Sequence, residues 1–340
     1  MSAPVSSETA PPLVSVDGLS VHFPLGHGLF GDKTVVRAVD DVSLEIRKGQ
    51  FVGLVGESGS GKTTLGRAML NAVPVTAGAV VYQDEEVRYD LGHVTKAELK
   101  DYRKRAQLIF QDPYAALSPR MTVRDIVAEP LEVMRLTGSR EETDARVREV
   151  AMRCRLNLEH LRRFPHAFSG GQRQRISIAR ALVCEPHFLV ADESVAALDV
   201  SIQADILNML KSLQQDLGLT FLFISHDLSV VAHTCDVVAV MYLGSLVEVA
   251  PTHQLFRSPK HPYTKALLSA MPSLDPDDKS SDQRLTGEIP SPTNPPSGCR
   301  FHTRCPVAIE RCKSEVPKQE AAEDGHRVAC HRWAELHNPD

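Results

Sequence analysis

Residues 56–64 read GESGSGKTT, and their types and spacing fit one chemistry, the cradling of a polyphosphate. Gly56, Gly59 and Gly61 let the loop curl its backbone N–H groups inward, and a following helix adds its positive end. Lys62 supplies a point charge for β- and γ-phosphates, Thr63 offers a hydroxyl to Mg2+, and Thr64 reaches the α-phosphate. Glu57, Ser58 and Ser60 complete the expected nucleotide-contacting loop. A second apolar run, HFLVADE, closes on Asp192 and Glu193. A carboxylate ending a buried strand is expensive unless a cation holds it. Asp192 is therefore the expected Mg2+ partner, with Glu193 as general base toward the attacking water. A third run, LTFLFIS, leads into His226, which is expected near the γ-phosphate.

A second anion cradle lies in FSGGQRQRISIARAL, residues 168–182. Ser169 and Gln172 have capping-box spacing. Gly170 and Gly171 bare the first turn, so its N–H groups and the Ser169 hydroxyl face outward. This cradle has no lysine, and the first loop already holds a nucleotide's phosphates. It is expected to complete another subunit's site, with two chains head to tail and ATP between them.

Four cysteines, Cys299, Cys305, Cys312 and Cys330, have five, six and seventeen residues between them. Four thiolates can close a tetrahedral zinc site or bridge an iron–sulfur cluster, and ligand softness does not choose between the two. Alternative ligands are His302, His326 and His331. Cys154, Cys184 and Cys235 sit among apolar neighbours and read as core.

These residues need elements to position them. FVGLV, HFLVADE and LTFLFIS are short, continuous apolar runs of the kind that form buried parallel strands. Such sheets bind ligands at their strands' carboxyl ends, so the three reactive termini should share one edge. Residues 112–168 are helix-rich, with apolar positions at three- and four-residue spacing. Residues 256–298 turn polar and proline-rich and mark an extension and linker. Residues 299–340 form a Cys-rich tail too short and polar to bury a core of its own, so a ligated metal or cluster is expected to order it. Residues 1–12 read as a disordered tail.

The chain has 340 residues, 42% hydrophobic and 24% charged, with a net charge of −5. It gives no electrostatic reason to expect a nucleic-acid partner, and no apolar run reaches the roughly 18 residues that span a bilayer.

FSGGQ, GESGSGKTT, the strand ending in Asp192 and Glu193, and ISHDL together resemble the ATP-binding cassette (ABC) family over residues 13–255. The resemblance implies an α/β P-loop NTPase fold: an ABC-type nucleotide-binding domain with a RecA-like core, an antiparallel β subdomain and an α-helical subdomain, here followed by a small Cys-rich C-terminal region. It makes Gln111 the Q-loop glutamine that touches Mg2+ and water, and Phe23 the aromatic that stacks on adenine, with Phe30 competing. Asp199 is retained, but DESVAALD puts Ser194 where relatives carry proline and Ala196 where they carry serine, which bears on coupling across the dimer. HPYTKALLSAMP, GEIPSPTNPP and the final cysteines resemble the ATP-binding subunits of oligopeptide/dipeptide importers of the DppF/OppF type. That resemblance implies a [4Fe-4S] cluster on the four cysteines, zinc being the alternative. It also implies a second cassette of DppD/OppD type, two membrane permease subunits and an extracytoplasmic peptide-binding protein, with this chain peripheral on the cytoplasmic face of the membrane. An importer for nickel, glutathione or another small solute is the nearest alternative; a non-transport ABC ATPase is the alternative of another class.

Overall fold

The computed structural model describes residues 11–25, 34–194, 199–271 and 287–337. Phe30, Ala196, most of the N-terminal tail and the linker's middle lie outside them. Among the described residues twelve strands run in chain order: β1 Val14–Leu25, β2 Thr34–Ile46, β3 Phe51–Val55, β4 Ala77–Gln83, β5 Arg88–Asp90, β6 Ala106–Ile109, β7 Phe188–Asp192, β8 Thr220–Ile224, β9 Val237–Tyr242, β10 Ser245–Pro251, β11 Glu320–Glu323 and β12 His326–Val328.

They form two sheets. One is four-stranded and antiparallel, in the order β2-β1-β4-β5; the other is eight-stranded, in the order β11-β12-β10-β9-β3-β8-β7-β6. Within the larger sheet β9, β3, β8, β7 and β6 are parallel. Every residue of β3, β7 and β8 is buried, as expected of strands covered on both faces, and this is why those segments lack polar alternation. The register pairs Leu54 with Ile224, Asp192 with Ile224, and Ile109 with Ala191. The carboxyl ends of β3, β8, β7 and β6 therefore lie side by side, and the edge expected from the sequence is real.

Two apolar cores flank the large sheet. One packs the antiparallel sheet and the helix Lys62–Met69 against Val52, Leu54, Val190, Leu222 and Ile224. The other joins the opposite sheet face to the helices Val123–Met134, Arg140–Arg153 and Gly170–Leu182. The helix-rich stretch read from the sequence thus shares its core with the strands that carry the reactive ends. Thr122, Ser139 and Ser169 each accept a backbone N–H at the start of these helices, satisfying donors that a helix leaves open.

The C-terminal segment does not stand apart. β12 bonds to β10, pairing Val328 with Glu248, and Phe301 enters the main core at 1% exposure. Its ring lies 5.3 Å from Tyr242 and 5.4 Å from Tyr263. The tail has little apolar content of its own and borrows a core from the sheet it extends.

Candidate nucleotide site

The P-loop follows β3 directly. Gly61 has φ 103°, and an added Cβ there would stand 2.1 Å from the Ala38 carbonyl oxygen. At Gly56, with φ 149°, it would stand 2.1 Å from the Met241 carbonyl oxygen. Only glycine fits either position. The Lys62 ammonium is buried, donating to the carbonyls of Gly56 and Glu57 at 2.8 Å each and to the Ser60 hydroxyl at 3.3 Å. Burial lowers its pKa, and the nearby Glu193, Asp192 and Glu57 work against that shift.

Across the strand ends, the Thr63 hydroxyl donates to Asp192 at 2.8 Å. Asp192 is 2% exposed, and burial pushes its carboxyl up although Thr63 and Arg67 favour the ion. Glu193 follows with φ 43°, a left-handed conformation uncommon outside glycine and typical of strained functional positions. Its backbone N–H bonds to the Ile224 carbonyl at 3.0 Å, which fixes the turn. The Gln111 amide then donates to the Glu193 carboxylate at 2.9 Å, and His226 Nδ1 lies 3.6 Å from the same carboxylate.

One cleft collects the phosphate loop, Gln111 and Glu193. It is lined by Val36, Ala38, Ser58, Gly59, Gly61, Lys62, Thr63, Thr64, Gln111, Glu193 and Pro292 and has a volume of about 290 Å³. Phe23 is half-buried on β1, paired with the lining residue Val36. A hydroxyl, a buried carboxylate and an amide form the all-oxygen donor set that suits Mg2+. The residues present therefore fit the ion.

Other expected residues lie elsewhere. Ser169 caps the helix Gly170–Leu182 in a capping box with Gln172, but none of Ser169, Gly170, Gly171 and Gln172 lines the cleft. An added Cβ at Gly171 would stand 2.4 Å from Ile202 Cγ2, so that glycine allows close packing on the helix Val200–Leu217. Asp199 precedes that helix, with no side-chain cap bond. Ser194, which stands in the proline position, is buried with its hydroxyl unpartnered.

Comparison with known proteins decides the family. Residues 39–196 match the ABC transporter model, and residues 247–312 match the oligopeptide/dipeptide transporter C-terminal region. The chain is 49% identical over 324 residues, 95% of its own length and 99% of the relative's, to a putative peptide import ATP-binding protein of Brucella ovis. It belongs to the ATP-binding subunits of oligopeptide/dipeptide ABC transporters. To two Bacillus subtilis relatives, the putative oligopeptide transport ATP-binding protein YkfD and the oligopeptide transport ATP-binding protein AppF, the importer ATPase is 48% and 47% identical, covering 95% and 92% of this chain and 96% and 95% of theirs. A solved dimeric ATP-binding cassette in a post-hydrolysis state with ADP and Pi matches at TM-score 0.61 and 28% identity, over 70% of this chain and 98% of that one. The fold is the ABC ATPase fold, and ATP hydrolysis comes with it. Among the described residues no helix is long and apolar enough to cross a membrane.

Among the described residues no group of three or more His, Cys, Asp or Glu side chains is arranged to hold a metal. Cys299, Cys305, Cys312 and Cys330 do share one patch, where burial first and then the other three thiols push the Cys299 thiol up to about 12. Cys299 N–H also bonds to the Cys312 carbonyl at 2.8 Å. Backbone contacts and packing thus gather the thiols. Of the alternative ligands, His326 is committed elsewhere, with Nε2 2.7 Å from Glu248.

Sequence reasoning missed Pro292, Tyr263 and Arg304. The Tyr263 hydroxyl accepts the Glu57 N–H at 3.0 Å, and Arg304 donates to the Glu57 carboxylate at 2.8 and 3.1 Å. HPYTK and SGCRFHTRC were visible as motifs, but no local pattern links them to a loop more than 200 residues earlier.

Proposed function

We propose that the chain drives uptake of dipeptides or oligopeptides through separate permease subunits on the cytoplasmic face of the membrane. It pairs with a second cassette, related but of the DppD/OppD type, and a peptide-binding protein delivers the cargo. The observation that carries this reading is the separation of the two anion cradles. The phosphate loop, Gln111 and Glu193 meet in one cleft, while the Ser169 helix tip lies outside it. A tip that cannot serve its own chain is free to seal a partner's ATP.

In this assembly Lys62 and the loop amides neutralise the β- and γ-phosphates, and Phe23 stacks on adenine. Thr63, Asp192 and Gln111 would hold Mg2+, whose charge stabilises the phosphoryl transition state. Glu193 takes the proton of the attacking water, while Gln111 and His226, which flank its carboxylate, orient that water and the γ-phosphate. The partner's Ser169-type tip closes the site, and Asp199 faces the same junction. Phe110 and Tyr114, exposed just beyond β6, support docking of a permease helix between core and helical subdomain.

The four C-terminal thiols are the finer part of the reading. Their gathering in one patch supports a [4Fe-4S] cluster, with zinc as the alternative, and iron, sulfide and zinc content after anaerobic purification separates the two.

The decisive test is Glu193→Gln. Hydrolysis should fall at least 100-fold while ATP binding persists, and the variant mixed with its partner cassette should remain associated in ATP, read by light scattering. Parent-like hydrolysis would remove Glu193 from the role of base.

A further inference from the structure

The segment 287–305 touches the nucleotide site at two points and packs beside it at a third. Pro292 lines the cleft, and its carbonyl accepts the Arg37 N–H at 3.1 Å. Arg300 donates to the Leu243 carbonyl and pairs with Asp40. Arg304 grips both oxygens of Glu57, the second residue of the phosphate loop, at 2.8 and 3.1 Å. This fork-to-fork pairing is the geometry in which arginine holds a carboxylate most firmly. The Arg304 side chain is only 5% exposed. Its guanidinium also reaches the Tyr242 hydroxyl at 3.4 Å.

A carboxylate in a loop that must receive a triphosphate is an electrostatic liability. Glu57 lies near enough to Lys62 to act on its charge, so an unpaired Glu57 would repel the phosphates that Lys62 attracts. Arg304 cancels that charge from the opposite end of the sequence.

We propose that residues 287–305 form a working wall of the ATP site and that Arg304 is a positioning residue for the phosphate loop, acting through Glu57. The proposal rests on the reading of that loop as the ATP site. Arg304 touches no reacting atom. Its loss should weaken nucleotide binding and leave the chemical step intact.

The test uses the assembled transporter and compares R304A, R304K, E57Q and E57Q/R304A. R304A should raise the KM for ATP about five- to tenfold, as expected for one uncompensated charge several ångströms from the phosphates, with kcat within about twofold of the parent. R304K should recover most of the loss. In the E57Q background no charge is left to neutralise, so adding R304A should change KM less than about twofold. An unchanged KM in R304A, or an equal rise in both backgrounds, would make Arg304 a packing residue and overturn the proposal. If R304A does not assemble, R304Q, which keeps the stem over Tyr242, reads the same coupling. A parent complex that hydrolyses no ATP would count against the functional reading; binding of a fluorescent ATP analogue to the same variants would still decide the role of Arg304.

Discussion

At the residue scale the site trades stability for chemistry. Burial raises the Asp192 carboxyl above its ordinary range, so the folded state holds that proton more tightly than the unfolded chain. Stability therefore falls as pH rises through the folded value, and at neutral pH ionised Asp192 is a standing penalty. Asp192→Asn keeps an oxygen for the Thr63 hydroxyl and removes the charge. The nucleotide-free variant should melt about 1–3 °C higher, measured by calorimetry, while its ATPase activity is lost. Unchanged melting would mean that the carboxylate is already compensated. Glu193 makes the same trade in its backbone, because φ 43° is held against its own preference by the Ile224 carbonyl.

At the element scale the weakest-looking piece is anchored by a buried charge. Glu248, on β10, accepts the N–H groups of Lys260 and His261 at 2.6 and 2.9 Å and meets His326 of β12 at 2.7 Å. Burial alone would raise its carboxyl, but these bonds outweigh it and hold the folded value below 4.5. The stabilisation is thus present above the ordinary glutamate range and lost as pH falls through the depressed folded value. Glu248→Ala should cost about 3 kcal/mol, in line with breaking a buried pair, and limited proteolysis should then cut within residues 299–337 first. In Glu248→Gln, the part of acid destabilisation that sets in below pH 4.5 should disappear. The sequence shows β10 and the HPY motif as separate pieces; that a glutamate ties them to a histidine 78 residues away is a property of the sheet alone.

At the scale of the whole molecule, the proposed function gives one chain half of two ATP sites. The phosphate loop and the Ser169 tip lie on one chain but in different places, and on that reading efficient hydrolysis requires a second cassette. The isolated chain should hydrolyse ATP slowly, with specific activity that rises as partner cassette is added and levels off at equal amounts. Activity independent of both partner and protein concentration would show a site complete within one chain. The 287–305 wall adds to this picture, because it brings the thiol patch within one residue of Arg304 and hence of the loop that binds phosphate.

Much of this was legible in the chain itself. The phosphate loop, the carboxylates after HFLVA, the capped SGGQ helix and the parallel run of buried strands are written in contiguous residues, because each depends on a backbone turn or a cap set by neighbours a few positions away. Only the folded chain decided that Pro292 lines the nucleotide cleft, that Arg304 pairs with Glu57, that the tail takes its core from β10 and Tyr242, and that the four thiols gather in one patch. Those contacts join residues tens to hundreds of positions apart. They follow from which sheet edge and which face of the core a segment can cover, and no local spacing encodes that choice.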